Sequence, residues 1–90
     1  MSIKVGSLVC SKCGHDLNRI YLVIKIEGEF AYCVDGKYRP LNNAKKKRLK
    51  HLSLLHNATT FAEEKLKNNV LYDFEISTFI KNESSIMHKD

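Results

Sequence analysis

Residues 6–26 read GSLVCSKCGHDLNRIYLVIKI, and the fold follows from how this stretch divides. It opens with a short apolar strand around Leu8 to Cys10, breaks into a polar loop centred on Gly14, and then enters the most hydrophobic strand of the chain. Along that strand, Arg19 to Ile26, the residues Ile20, Leu22, Ile24 and Ile26 alternate with Tyr21, Val23 and Lys25; a period of two in β-branched residues reads as strand. Gly14 permits a positive φ or a close backbone approach that a β-carbon would block, while Lys12, His15 and Arg19 surround it with donors and positive charge. A loop of that composition suits a phosphate backbone.

Outward from this unit the turn residues set the remaining strands. Glu27-Gly28-Glu29 is short and polar and predicts a hairpin into Phe30 to Val34. Asp35-Gly36 predicts a type I′ turn, both of whose central residues need φ > 0, followed by a brief strand from Lys37 to Leu41. Pro40 lacks an N–H and belongs at the edge or end of that strand. Asn42 to Lys47 has no apolar side chain larger than Ala44 and reads as a basic loop. Leu49 and Leu52 then anchor a last strand or 3₁₀ turn through Arg48 to Leu54. Five short strands in about fifty residues predict a mainly β fold, a small and strongly bent SH3-like β-barrel over residues 1–56.

After His56 the pattern changes to helix. Thr60 with Glu63 makes a capping-box pattern, Asn68-Asn69 is a stop, and Asp73 can cap a second helix with Ile76, Phe79 and Ile80 on one face. Two short helices over residues 57–82 are expected, with one continuous helix from Thr60 to Lys81 as the rival. The apolar stripe needs a partner, either the barrel or another macromolecule. Residues 83–90 read as a disordered terminus.

Charge is distributed unevenly. Residues 1–56 hold 11 Lys and Arg against 4 Asp and Glu, whereas residues 57–90 hold 4 against 6. Between Lys37 and His51 stand Lys37, Arg39, Lys45, Lys46, Lys47, Arg48 and Lys50 with no acid among them. A field of that sign concentrates polyanions, and nucleic acid is the commonest one in a cytosol. Lysines neutralise phosphates without fixed geometry, while Arg39 and Arg48 offer bidentate contacts. Tyr38, between Lys37 and Arg39, is the aromatic best placed to stack on an unpaired base. Tyr21 and Tyr32 are expected to cover barrel faces with their hydroxyls in water. No apolar run approaches the roughly 20 residues of a membrane span, and the amino terminus lacks a signal-type segment, so a cytoplasmic protein is expected.

Cys10-Ser-Lys-Cys13-Gly-His15 resembles half of a zinc ribbon, with Cys33 and one of His15, His51 and His56 as possible further ligands, but the second ligand pair of a structural zinc site is missing. No metal or other cofactor is therefore assigned. Strands on both sides of the C-x-x-C do not suit a thioredoxin-like site, and nothing orients a Cys–His pair for catalysis. An enzyme is not expected. The rival readings are a protein-interaction module using the helical face of Ile76, Phe79 and Ile80, and a small zinc protein on Cys10, Cys13 and Cys33.

One family resemblance bears on all of this. The run Gly6-x-x-Val9-x-Ser11-Lys12-x-Gly14-x-Asp16-x-x-Arg19, followed by the Tyr21 to Ile26 strand, resembles a KOW motif. The chain is similar to bacterial KOW-domain RNA-binding proteins that resemble a large-subunit ribosomal protein of archaea and eukaryotes. The similarity runs on through Asp35-Gly36, Arg39, the KKKRLKHL segment from Lys45 to Leu52, Lys65-Leu66, Leu71, Asp73, Glu75 and Ile76. The family pattern places a second glycine where Asn18 stands, and Asn tolerates the left-handed region better than other non-glycine residues. The resemblance implies an SH3-like barrel that binds structured ribosomal RNA, with the large ribosomal subunit as its assembly. The candidate RNA-binding residues are Lys12, Gly14, His15, Asn18, Arg19, Lys37, Tyr38, Arg39, Lys45, Lys46, Lys47, Arg48, Lys50 and His51.

Overall fold

Alternation along residues 8–34 lays down three antiparallel strands, β1 (Leu8–Ser11), β2 (Ile20–Glu27) and β3 (Phe30–Val34), in a computed structural model that describes residues 2–57 and 60–87. Two more strands, β4 (Lys45–Arg48) and β5 (Leu52–His56), complete one antiparallel sheet in the order β4-β3-β2-β1-β5. A 3₁₀ turn, Leu49–His51, joins the two edge strands. Helices α1 (Thr60–Lys67) and α2 (Asp73–Met87) follow.

The sheet is open, with no ladder joining β4 to β5, yet it is strongly curled. In a flat sheet β4 and β1 would lie three strand spacings apart, about 14 Å. Here the Lys47 Nζ of β4 donates to the Ser11 Oγ of β1 at 2.8 Å. Register shifts between Leu8 and Val9 and between Val23 and Lys25 supply part of the bend, since an extra residue on one strand locally increases twist.

Curling gives the sheet two buried faces. One carries Leu8, Leu22 and Val34, which pack with Ala62, Leu71 and Ile76 of the helical segment. The other, concave face buries Val9, Tyr21, Val23, Ala31, Cys33 and Leu52 among themselves, closed by Ile3, Ile26 and Leu49. Ile26 departs from the expected face. It pairs with Ala31 beyond the shift at Val23/Lys25, and the residue inserted there reverses the in-out parity that Ile20, Leu22 and Ile24 follow.

Three further expectations are corrected. Residues 37–41 form no strand: the Asp35 Oδ1 accepts the N–H groups of Lys37 (2.9 Å) and Arg39 (2.7 Å), and the Arg39 carbonyl accepts those of Asp35 and Gly36, so the ladder donors are spent locally. The segment expected as a basic loop holds a 3₁₀ turn, Leu41–Asn43, and strand β4. Lysine suits that position because β4 is an edge strand, where charge discourages pairing with another chain. Finally, α2 runs to Met87, past the start of the expected disordered terminus, of which residues 88–90 lie outside the described residues.

The helices separate at Asn69 (φ 57) as the Asn68-Asn69 stop predicts, but the second cap differs. Tyr72 occupies the capping position, with its carbonyl accepting the Glu75 and Ile76 N–H groups while Glu75 Oε1 accepts the Tyr72 N–H. Asp73 instead turns its Oδ1 to the Leu41 N–H (2.7 Å), fastening the 35–41 loop to α2. Gly36 makes this docking possible, because with φ 78 its α-carbon sits against the first turn of α2 where a β-carbon would collide with the Asp73 carbonyl oxygen. The face of Ile76, Phe79 and Ile80, considered as a protein-docking surface, packs on the sheet. No described helix is long and apolar enough to cross a membrane.

Candidate nucleic-acid interface

The loop between β1 and β2 is held by its own backbone and by one buried carboxylate. Gly14 (φ 90) and Asn18 (φ 71) take the left-handed conformations that glycine and asparagine tolerate best. Arg19 N–H bonds the Asp16 carbonyl at 2.9 Å, and Ser11 and Asn18 N–H groups bond the Arg19 and Ser11 carbonyls across the loop mouth. Beneath it lies Asp16. Its Oδ1 is 2.9 Å from both Ser11 Oγ and Lys47 Nζ, and its Oδ2 accepts the Tyr21 hydroxyl at 2.7 Å and faces Lys45 Nζ at 3.4 Å. Burial alone would raise this carboxyl's pKa, but the hydrogen bonds from Tyr21, Lys47 and Ser11 outweigh it and hold the group well below the ordinary carboxylate range. Tyr21 shows the complement: burial and the bond to Asp16 push its phenol above its ordinary value. Contrary to expectation its hydroxyl is not in water, since the residue is buried and the group is bonded to Asp16.

With Asp16 as a buried anchor, the loop turns Lys12, His15, Leu17, Asn18 and Arg19 outward, all exposed. Elements distant in sequence meet it at three places. Lys12 N–H donates to the His51 carbonyl at 2.8 Å, bringing the Leu49–His51 turn and exposed Lys50 to the loop's start. Lys45 reaches its middle through Asp16. At its end the Arg19 guanidinium lies 4.7 Å from the centre of the Tyr38 ring, with Lys37 Nζ 5.2 Å from the same ring. Tyr38 is 63% exposed. Arg39 is half-buried and its main chain is engaged by the Asp35 loop.

Strand geometry splits the basic run in two. Lys45 and Lys47 pair with Cys33 and Ala31 and point to the concave side, whereas Lys46 and Arg48 pair with Tyr32 and Phe30 and emerge on the other side. Lys47 is only 8% exposed, and its ammonium is bound by Ser11 Oγ, the Cys13 carbonyl and Asp16. Those three bonds commit its ammonium to the interior, away from the exposed cations of the loop. Lys46 and Arg48 lie 4.5 and 5.0 Å from the Phe30 ring centre, beside Lys25 over Tyr32 at 5.3 Å, so they form a second cationic patch away from the loop.

A groove of about 570 Å³ opens between the loop end, residues 35–38 and α2, lined by Asn18, Arg19, Ile20, Asp35, Lys37, Tyr38, Ser77, Thr78, Ile80 and Lys81. The α2 contribution does not stand out in the sequence. Its only signal is the helical spacing of Ser77 with Ile80 and Lys81, which gains meaning once the docking of Gly36 on α2 is known.

The cysteines offered as metal ligands are dispersed. Cys33 is buried in the concave core, where desolvation pushes its thiol up to about 12, and Cys10 and Cys13 are half-buried. Among the described residues no three His, Cys, Asp or Glu side chains converge as a metal site would require. No family model matches the chain, and no curated protein matches it either.

Proposed function

We propose that this chain is a KOW-type RNA-binding protein whose curled sheet is a small SH3-like barrel. The observation that carries the reading is the convergence of Lys12, His51, Lys50, Arg19, Lys37 and Tyr38 on one glycine-containing loop anchored from below by Asp16. Main-chain and buried side-chain bonds fix the loop, so its exposed donors meet an RNA backbone with little conformational entropy left to lose. Affinity comes from phosphate neutralisation by the lysines, and selectivity from the shape of a folded RNA, since a short loop reads few base edges. The chain binds and performs no reaction. On the family resemblance the ligand is ribosomal RNA, the assembly the large ribosomal subunit, and the compartment the cytoplasm.

Sedimentation of lysate ribosomes tests this. The protein is expected with the large subunit at low salt and at the top of the gradient at high salt, whereas a Lys12→Glu, Lys37→Glu variant stays at the top throughout. A parent protein that never leaves the top would refute ribosome association.

One observation favours a second reading, a protein-interaction module: Tyr72 and Phe74 stack at 6.0 Å on the surface at the start of α2, and Phe74 is 70% exposed. Ribosome association that survives nuclease would support it.

A further inference from the structure

The groove beside α2 has a composition that simple backbone gripping does not require. Its walls combine apolar surface from Ile20 and Ile80, an exposed aromatic ring, Tyr38, and three cations, Arg19, Lys37 and Lys81. Asp35 also borders it, but its Oδ1 is spent on the N–H groups of Lys37 and Arg39. A volume of about 570 Å³ lies within the range of sites that enclose small organic ligands. A phosphate alone has no use for the isoleucines or the ring. A nucleotide uses all of them.

We propose that this groove takes one unstacked nucleotide of the bound RNA, an extruded or bulged base, with the base on Tyr38 and its flanking phosphates among Arg19, Lys37 and Lys81. The inference rests on the RNA-binding reading and deepens it. Tyr38 already serves as a stacking platform for two cations, at 4.7 and 5.2 Å from its centre. A base entering the groove replaces one of them on the ring, and the displaced cation is left beside the nucleotide's own phosphate. Stacking of this kind tolerates any base, so the site selects RNA by the presence of a free nucleotide rather than by its identity. It also gives α2 a part in recognition through Lys81, although the helical segment is poor in net positive charge.

The test compares two RNA duplexes differing by a single bulged 2-aminopurine nucleotide, each titrated with the full chain, with Tyr38→Leu and with Lys81→Glu. Tyr38 and Lys81 are exposed, so neither change disturbs the core. The parent is expected to bind the bulged duplex about tenfold more tightly and to quench its fluorescence. Tyr38→Leu should abolish both the preference and the quenching, and Lys81→Glu should reduce the preference. Equal parent affinity for the two duplexes, or a Tyr38→Leu variant that keeps the parent's preference for the bulge, overturns the nucleotide site and leaves RNA binding standing. Failure to bind either duplex or ribosomal RNA overturns both readings together.

Discussion

The Lys47 ammonium stands 2.9 Å from the Asp16 Oδ1 across 31 residues of chain, with both side chains almost wholly withdrawn from water. This pair ties edge strand β4 to the β1–β2 loop, so the same bond holds the curl of the sheet and the shape of that loop. Ser11, Tyr21 and Lys45 satisfy the remaining capacity of the carboxylate, which is what makes such a buried charge tolerable.

Replacing Lys47 with Ala strands that charge. Removal of one member of a buried ion pair costs roughly 3–5 kcal/mol, and the nearby Lys45 places this case near the lower end. Urea unfolding should show a large fall in midpoint for Lys47→Ala and no resolvable change for Lys46→Ala, although the two lysines are adjacent in sequence. Equal effects would mean that the buried pair is not a structural tie.

The pH dependence has a defined sign. Asp16 has a depressed pKa in the folded state, so its contribution is fully present above the ordinary carboxylate value of about 4 and is lost as pH falls below it. Tyr21 has a raised pKa, so its contribution is present below about pH 10 and lost as pH rises above that value. Denaturant midpoints across pH should fall on both limbs, with Asp16→Asn flattening the acid limb and Tyr21→Phe the alkaline one.

Two glycines separate strain from collision. At Gly28 (φ 60) nothing lies within 4 Å of an added β-carbon, and Gly28→Ala should cost about 1 kcal/mol for the left-handed conformation alone. At Gly36 the same change adds a clash with the Asp73 carbonyl and an approach of 2.9 Å to the Ser77 nitrogen, both on the backbone of α2. Gly36→Ala should therefore lower the unfolding midpoint several times more and loosen α2, seen as faster amide exchange in its first turns.

Thiol reactivity follows burial. Cys33, with its pKa pushed up to about 12 in the concave core, should resist alkylation under native conditions while Cys10 and Cys13 react. Mass spectrometry of the partly alkylated protein reads the order directly.

Much of the architecture is legible in residues 6–34, because alternation and the glycine-bearing turns fix two hairpin arms there. What the sequence obscures comes from side chains acting at a distance. The inserted residue near Ile24 reverses the face of Ile26, and nothing local announces it. Asp35 captures the donors of residues 37 and 39 and so replaces the expected strand with a loop. The lysine run has the right sign of charge but conceals its division, since only the in-out period of β4 sends Lys47 to a buried carboxylate and Lys46 to the surface. Lys81, at the groove, is invisible without the packing of Gly36 on α2.

If exposed cations around the β1–β2 loop bind RNA by neutralising phosphates, as proposed, affinity must fall steeply with salt. Binding of a large-subunit ribosomal RNA fragment should be titrated over a range of salt for the parent and for the Lys12→Glu, Arg19→Glu, Lys37→Glu variant, with unfolding midpoints measured alongside. The parent's log affinity should fall linearly with log salt. The variant, equally stable, should bind more than about tenfold more weakly, with a slope shallower by about one for each phosphate that it no longer neutralises. An equally folded variant with the parent's affinity and slope would mean that these cations do not hold the RNA.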